Sequence, residues 1–483
     1  MKSKPPDLST GRNTKLYADK KGPEDLAKVV NNGYCVGCGA CAAASNGRIK
    51  MKLTEFGTYV ASVEESEGWQ SAPTSVCPFS DAGLNETEHA EQLFDAAQQK
   101  DKHLGHYLST YAGHANAGDY RENGSSGGIT SWILDELLRK KRIDYVVHVR
   151  AREADEKTDL LFKYDVSSTH EKIFERAKSR YYPVEASQVI NQIKNNAGRY
   201  AFVGVPCFVK ALRNVALLDP VVRDRVAFTI SLFCGHLKSG KFAESLAWQL
   251  GVSPTEIESV NFRHKLSGRA ANAYGFSVIS RINGEQTIRP MTDLLGKDWG
   301  IGLLKLKSCD FCDDLVGETA DISIGDAWIT PYLKESQGTN LIVVRNHELD
   351  QILKDGGASG SLNLEPLAPA EVVKSQLSGF WHRREGLQYR LFLADKMGLW
   401  RPRKRMNASQ NHISKLERLI FLFRQLLRDK SHAYYFKARA ERKLELYTKP
   451  MRRWIFLYHV ALKLRHLHKK YIKATSHNSK HPR

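Results

Sequence analysis

Eight cysteines fall into two sets of four, and they constrain this chain more than any other feature. The first set reads Cys35-Val-Gly-Cys38-Gly-Ala-Cys41, then Cys77-Pro78. Three cysteines at two-residue spacing wind around one corner of a cluster, and a last cysteine followed by proline is the bacterial ferredoxin pattern. Gly37 and Gly39 let the backbone turn tightly and aim N–H groups at sulfur. Structural zinc sites usually pair two C-x-x-C knuckles, so the triplet favours a 4Fe-4S cluster. Downstream, Ile49, Met51 and Leu53 alternate and Gly57 separates two β-prone runs, which predicts a hairpin.

The second set is scattered. The apolar run 199–205 ends in Pro206-Cys207, and the run 226–233 ends in Cys234-Gly-His236. Cys309-Asp-Phe-Cys312 precedes a third run from Ala320. Two of these cysteines follow predicted strands, where open α/β sheets gather ligands. The spacing fits a second 4Fe-4S cluster or a zinc equally, with buried unligated thiols as a weaker reading.

The chain has 483 residues, enough for about three domains at roughly 150 residues each. Hydrophobic residues make up 42%, which excludes disorder throughout. No apolar run approaches the ~20 residues of a membrane span. Residues 1–21 are polar and basic, without the apolar stretch of a secretory signal. A cytoplasmic protein is the expectation, and there such cysteines argue for metal or redox chemistry rather than disulfides.

The charge is unevenly placed. Residues 401–483 hold 23 Lys and Arg against 4 Asp and Glu, whereas residues 1–400 hold 49 of each. A boundary near residue 400 follows. The tail has Ile413, Leu416, Ile420, Phe423 and Leu427 at helical spacing, and Pro450 is expected to open a second helix carrying Trp454, Leu457 and Tyr458. Basic helices with Trp and Phe suit an anionic membrane surface. A helical cap packed on the body ranks equally, and nucleic acid ranks behind both.

Between residues 110 and 395 strand and helix patterns alternate, which predicts an α/β body. The stretch Asn123-Gly-Ser125-Ser126-Gly127-Gly128 runs into a helix from Ile129, with Thr130 adding a hydroxyl. Free N–H groups at such a turn attract phosphate oxygens, although a Gly/Ser loop is more often only a cap. Lys178, Arg180 and the Tyr181-Tyr182 pair offer cations beside stacking rings, and Asn340 precedes a strand. No G-x-G-x-x-G follows a strand, so a Rossmann site is not supported.

Taken together, these motifs resemble the coenzyme F-420 hydrogenase/dehydrogenase beta subunits, a family that includes 7-hydroxymethyl chlorophyll a reductase. The matching pieces are Cys35 to Cys41 with Cys77-Pro78, Ser125-Ser-Gly-Gly-Ile129, Tyr200 to Cys207, Leu232-Phe-Cys-Gly-His236, Cys309 to Asp313, Ala320 to Asp326 and Leu341 to Arg345. They cover roughly residues 30–350, in the family's order. The resemblance implies an FAD-binding iron–sulfur oxidoreductase. It makes Cys207, Cys234, Cys309 and Cys312 ligands of a second 4Fe-4S cluster, and the Ser-Ser-Gly-Gly loop a flavin-phosphate site. Many relatives carry a second N-terminal cysteine triplet; this chain has one, so one cluster is expected there.

The expected architecture is a flexible leader (1–34), a ferredoxin-like iron–sulfur module (35–100), a mixed α/β flavin and iron–sulfur body (101–400) and a basic amphipathic helical tail (401–483). Electrons would pass between a ferredoxin-like or reduced-coenzyme donor, the clusters, FAD and a small organic substrate. His236 is a candidate proton donor or sulfur partner, and Asp326 and Arg345 are candidate substrate or flavin contacts. The rivals are an electron-transfer subunit of a larger complex and a non-catalytic zinc-binding scaffold.

Overall fold

The computed structural model describes residues 24–62, 73–95, 98–153, 156, 158 and 160–478. Its centre is a mixed eight-stranded sheet. In spatial order the strands are Leu362–Pro366, Ser109–Ala115, Asn340–Val344, Ile322–Asp326, Val226–Leu232, Tyr200–Gly204, Tyr145–Ala151 and Phe162–Ser167. The middle strands from Ile322–Asp326 to Tyr145–Ala151 run parallel, and the flanking pairs are antiparallel. The α/β expectation therefore holds.

The strand Tyr200–Gly204 shows why its sequence is apolar throughout. Tyr200 and Phe202 pack into one layer and Ala201 and Val203 into the other, so both faces need hydrophobic cover. Helices Ile129–Arg139 and His347–Ala358 cover one face with Ile129, Ile133, Leu349 and Leu353. Helices Ser187–Asn195 and Pro206–Leu218 cover the other with Val189, Ile193, Phe208 and Leu212. A second, three-stranded sheet, Ile257–His264, Gly275–Ser280 and Gln286–Pro290, packs with helix Lys241–Gln249.

The predicted hairpin forms: Lys50–Leu53 pairs antiparallel with Tyr59–Ser62, and Gly57 adopts φ 65° in the turn. Val36, Cys38 and Cys41 belong to the same hydrophobic core as Phe202 and Phe208, so the N-terminal segment and the sheet share one interior.

Three expectations need correction. Residues 1–23 of the leader lie outside the described residues, but its remainder is no flexible segment. Helix Glu24–Asn31 buries Leu26 and Val29, and Tyr34 packs edge-on to Phe311 at 4.9 Å and donates to the Trp400 carbonyl at 3.3 Å. The basic segment packs as the cap that was one of its two equal readings, but it shares a core with the body, so the boundary expected at residue 400 is not a division of the interior. Lys404 and Arg405 are buried against Asp313, Glu318 and Glu86, and helix Lys415–Glu441 inserts Arg424 and Arg428 into the interior. Pro450 lies inside the last helix, Glu445–Asn478, instead of opening it. It sits in the second turn, where its missing N–H leaves the Leu446 carbonyl without its i→i−4 donor.

That last helix buries Tyr447, Met451, Tyr458 and Ala461 but leaves Phe456, Leu457, Val460, Leu464 and Leu467 exposed. No helix among the described residues is long and apolar enough to cross a membrane.

Arg405 bonds both Glu318 oxygens at 2.7 and 2.8 Å and meets Asp313 at 3.1 Å. Removing one member of such a buried network leaves uncompensated charge, at a cost of about 3–5 kcal/mol. Arg405→Met should therefore lower the urea midpoint markedly, while Arg453→Met on the exposed helix surface should leave it within experimental error.

Candidate functional site

The first cysteine set is built on a short loop. Cys35 and Cys38 lie on it, Cys41 begins the next helix, Ala40–Ala44, and Cys77 follows the turn Thr74–Val76. The four thiols ring one small pocket with Leu26, Val29, Met51 and Ala61. Gly39 has φ 82°, and a Cβ there would lie 2.6 Å from the Ser187 nitrogen, so glycine is required at this bend. Burial pushes the Cys77 thiol up to about 12, opposed by N–H groups of Phe79 and Ser80. Burial and mutual repulsion raise Cys38 and Cys41 further.

The second set gathers from four places in the chain. Cys207 stands in the first turn of helix Pro206–Leu218, and Cys234 follows the strand Val226–Leu232. Cys309 and Cys312 flank the end of the tight turn Lys307–Phe311. Burial lifts Cys207 well above an ordinary thiol, reinforced by Cys234, Cys312 and Cys309, so the four thiols share one electrostatic neighbourhood. Cys38 of the first set also acts on Cys207, so the two quartets adjoin. The Leu237 N–H donates to the Cys309 sulfur at 3.2 Å. No disulfide joins any of the eight.

Beside the second quartet opens a cavity of about 700 Å³. One end is the turn before helix Ile129–Arg139. Ser125, Ser126, Gly128 and Thr130 line it, as do Lys178 and Arg180. Gly128 has φ 79°, and a Cβ there would lie 2.5 Å from the Tyr120 carbonyl oxygen. Burial brings Lys178 down to about 8, helped by Arg180, and Arg180 to about 10. The Arg180 Nε has no partner.

Other expected residues play different parts. Gly127 lies tight against Gly113 and Asn340 and does not line the cavity. Asn340 reaches the lining, but its amide is spent on the Ile129 N–H (3.2 Å) and the Gly325 carbonyl (3.1 Å), so it braces the turn. His236 faces the cavity, stacked on Trp299 at 4.7 Å with its Nε2 unpartnered, and burial holds it well below the usual imidazole range. Asp326 also lines it, paired with Arg263 at 2.8 Å. Arg345 does not reach it. Its guanidinium is fully buried and serves the Leu104 and Ala320 carbonyls and Ser323, so the expected substrate or flavin contact fails.

The sequence reading missed several lining residues. Arg263 is buried between Asp326, the Ser125 carbonyl (3.1 Å) and the Tyr274 ring (4.4 Å). Lys265, two residues on, lies outside the lining and braces the turn from behind: it donates to the Ser126 carbonyl at 3.2 Å, and burial beside Lys178 lowers it to about 7. Two cations at alternate positions of one strand end were the available signal. Trp299, Lys238, His382 and Arg424 line the far end and carried no local motif.

Two family models match this chain. The coenzyme F-420 hydrogenase/dehydrogenase beta subunit N-terminal model covers residues 110–191, and the corresponding C-terminal model covers residues 197–370. The chain belongs to this family. It is 26% identical to a subunit of the F(420)H(2) dehydrogenase of Methanosarcina mazei, over 69% of this chain and 88% of that one. It is 22% identical to an uncharacterized protein of Methanocaldococcus jannaschii, over 72% and 93%. Among solved structures it resembles a chain of the F-420-reducing NiFe hydrogenase complex of Methanosarcina barkeri, with 21% identity, TM-score 0.47, and coverage of 63% and 99%. Family membership makes the protein an oxidoreductase-type, electron-transferring chain. The two matches span the sheet and the Ser-Ser-Gly-Gly turn. They leave the first quartet and everything after residue 370 outside.

The turn is the part of this family core most sensitive to a single atom. Gly128→Val places a branched side chain in a left-handed conformation and against a carbonyl. A loss of about 2 kcal/mol or more is expected, read as a lowered melting temperature, and Thr130→Ser should change little.

Proposed function

We propose that this chain is an FAD-dependent oxidoreductase with two 4Fe-4S clusters, one held by Cys35, Cys38, Cys41 and Cys77, the other by Cys207, Cys234, Cys309 and Cys312. The observation that carries the reading is continuity. The quartets adjoin through Cys38 and Cys207, and Cys234 of the second opens on the large cavity.

At the first quartet the C-x-x-C-x-x-C triplet closed by Cys77-Pro78 favours a cluster over the zinc scaffold, whose sites usually pair two C-x-x-C knuckles.

The cavity suits a flavin for three reasons. Its size lies within the range of about 300–1,000 Å³ common to ligand sites. Its one end offers hydroxyls and cations for phosphate, with the Arg180 Nε unsatisfied. Its middle offers Tyr181 and Tyr274 for ring stacking. A bound flavin would exchange one electron with a cluster and two with an organic reactant. Ser125, Ser126, Lys178 and Arg180 would hold the phosphates, while Arg263 and Asp326 would fix the ring. A ferredoxin-like protein or a reduced coenzyme is the donor class.

A second reading keeps the cofactors and makes the chain the electron-transfer subunit of a complex. The exposed apolar side of helix Glu445–Asn478 favours it, because isolated chains rarely leave five large apolar residues of one helix in water. Turnover of an artificial acceptor by the isolated chain would separate the two.

Anaerobic purification with iron, sulfide, zinc and flavin analysis tests the proposal. About eight iron and eight sulfide with one FAD per chain are expected. Cys207→Ala should lose about half the iron and keep the N-terminal cluster's spectrum. Zinc without flavin would sink the proposal.

A further inference from the structure

We infer that the far end of the cavity is an oxyanion site, built by the C-terminal segment, for the carboxylate, phosphate or sulfonate group of the organic reactant. The inference rests on reading this cavity as the place where that reactant meets the flavin.

The argument begins with an imbalance of buried charge. Lys238, Lys305, Arg390, Arg424 and Arg428 are all buried around one end of the cavity, and Asp310 is the buried carboxylate among them. Asp310 is fully engaged, with Lys305 at 2.5 Å and with Arg428. Arg390 is satisfied by the Asp310 and His382 carbonyls, both at 2.6 Å. Lys238 and Arg424 remain. Both line the cavity, and neither makes an ion pair among the described residues.

Lys238 donates to the Leu303 carbonyl at 2.6 Å and lies over the rings of Phe242 (4.2 Å) and Trp299 (4.6 Å). Arg424 touches the His382 ring and the Tyr458 hydroxyl. Asp310 and Asp298 act on Arg424, and Asp298 on Lys238, only from beyond ion-pair distance; Asp298 itself meets His459 at 3.0 Å. Three buried polar atoms here have no partner: His236 Nε2, His382 Nδ1 and Arg424 Nε. Unpaired buried charge is costly to keep. Donors that face a cavity without acceptors describe the negative of an oxyanion.

The quartet takes up part of this charge: Cys309 acts on Lys238 and Lys305, while Arg383 donates to the Cys234 carbonyl at 2.5 Å and is acted on by Cys312, Cys234 and Cys309. Arg424 is on the helix Lys415–Glu441. It therefore lies beyond residue 370, where the family match ends. The Ser-Ser-Gly-Gly turn is at the opposite end of the cavity, so one pocket has two separate anion sites: one shared with the family core, and one that this chain's own C-terminal segment completes.

The test titrates inorganic phosphate, and separately acetate, into the purified full-length protein carrying its cofactors. Heat is recorded at constant ionic strength, together with Trp fluorescence. Saturable binding of at least one anion is expected. It should weaken at least tenfold in Lys238→Gln and Arg424→Gln and less than twofold in Arg453→Gln on the exposed helix surface. Arg424→Lys, which keeps the charge, should restore most of it. If Arg424→Gln does not fold by circular dichroism, Lys238→Gln and Arg424→Lys carry the comparison. No saturable binding to the wild type, or equal binding by the far-end variants, overturns the site. Flavin absorbance recorded on the same samples reports separately on the cofactor reading.

Discussion

Everything around the second cysteine quartet depends on how its acidic neighbours are neutralised. Cys309 and Cys312 are interleaved with Asp310, Asp313 and Asp314, and Glu318 follows; all four carboxylates are buried. Carboxylates beside thiolates would repel one another strongly in a low-dielectric interior. The protein answers with cations from elsewhere in the chain. Lys305 and Arg428 hold Asp310, Lys404 and Arg405 hold Asp313, and Arg384 and Arg405 hold Glu318. The basic C-terminal composition is therefore partly internal wiring. It fixes the loop that carries two of the thiols.

The same loop shows how neighbours in sequence diverge by partner. Lys404 and Arg405 hold Asp313 far below the usual carboxylate range against the pull of burial. Asp314, one residue on, is pushed up to about 7 by burial, with Glu318 and Glu86 adding to it. It caps the following turn, accepting from the Gly317 and Glu318 N–H groups at 2.7 and 2.9 Å. A local sequence reading sees only consecutive aspartates; the distinction is made by residues 404 and 405.

What could be read in advance follows the same division between local and distant causes. The hairpin at 50–62, the parallel strands at 200–204 and 226–232 and the helix from Ile129 follow from local periodicity, and all appear. The triplet Cys35 to Cys41 carries its own geometry in its spacing. Arg345 misled because its motif sits at a strand end, where ligands gather, yet its side chain turns inward to carbonyls. Arg263, Lys238 and Arg424 were invisible because their surroundings come from strands, turns and helices far apart in sequence. The tail left a packed cap and a membrane surface equally open because amphipathic spacing reports a buried face without naming what it is buried against.

The cavity is thereby bounded by three parts of the chain with different origins of order. A glycine turn and strand ends set one end, rigid because backbone carbonyls surround Gly128. The cysteine-bearing loops set the wall, rigid because ion pairs cage them. The far end depends on helix Lys415–Glu441, which is anchored by Ser431 accepting from the Leu304 N–H at 2.8 Å and by Tyr435 donating to Glu244 at 2.8 Å. Those anchors tie the helix to the segment carrying Trp299 and to helix Lys241–Gln249. A shift of the C-terminal helix would therefore move Arg424 together with the ring that stacks on His236. On the proposed reading the part of the chain outside the family core would select the reactant, while the sheet and its cysteines would hold the electron carriers.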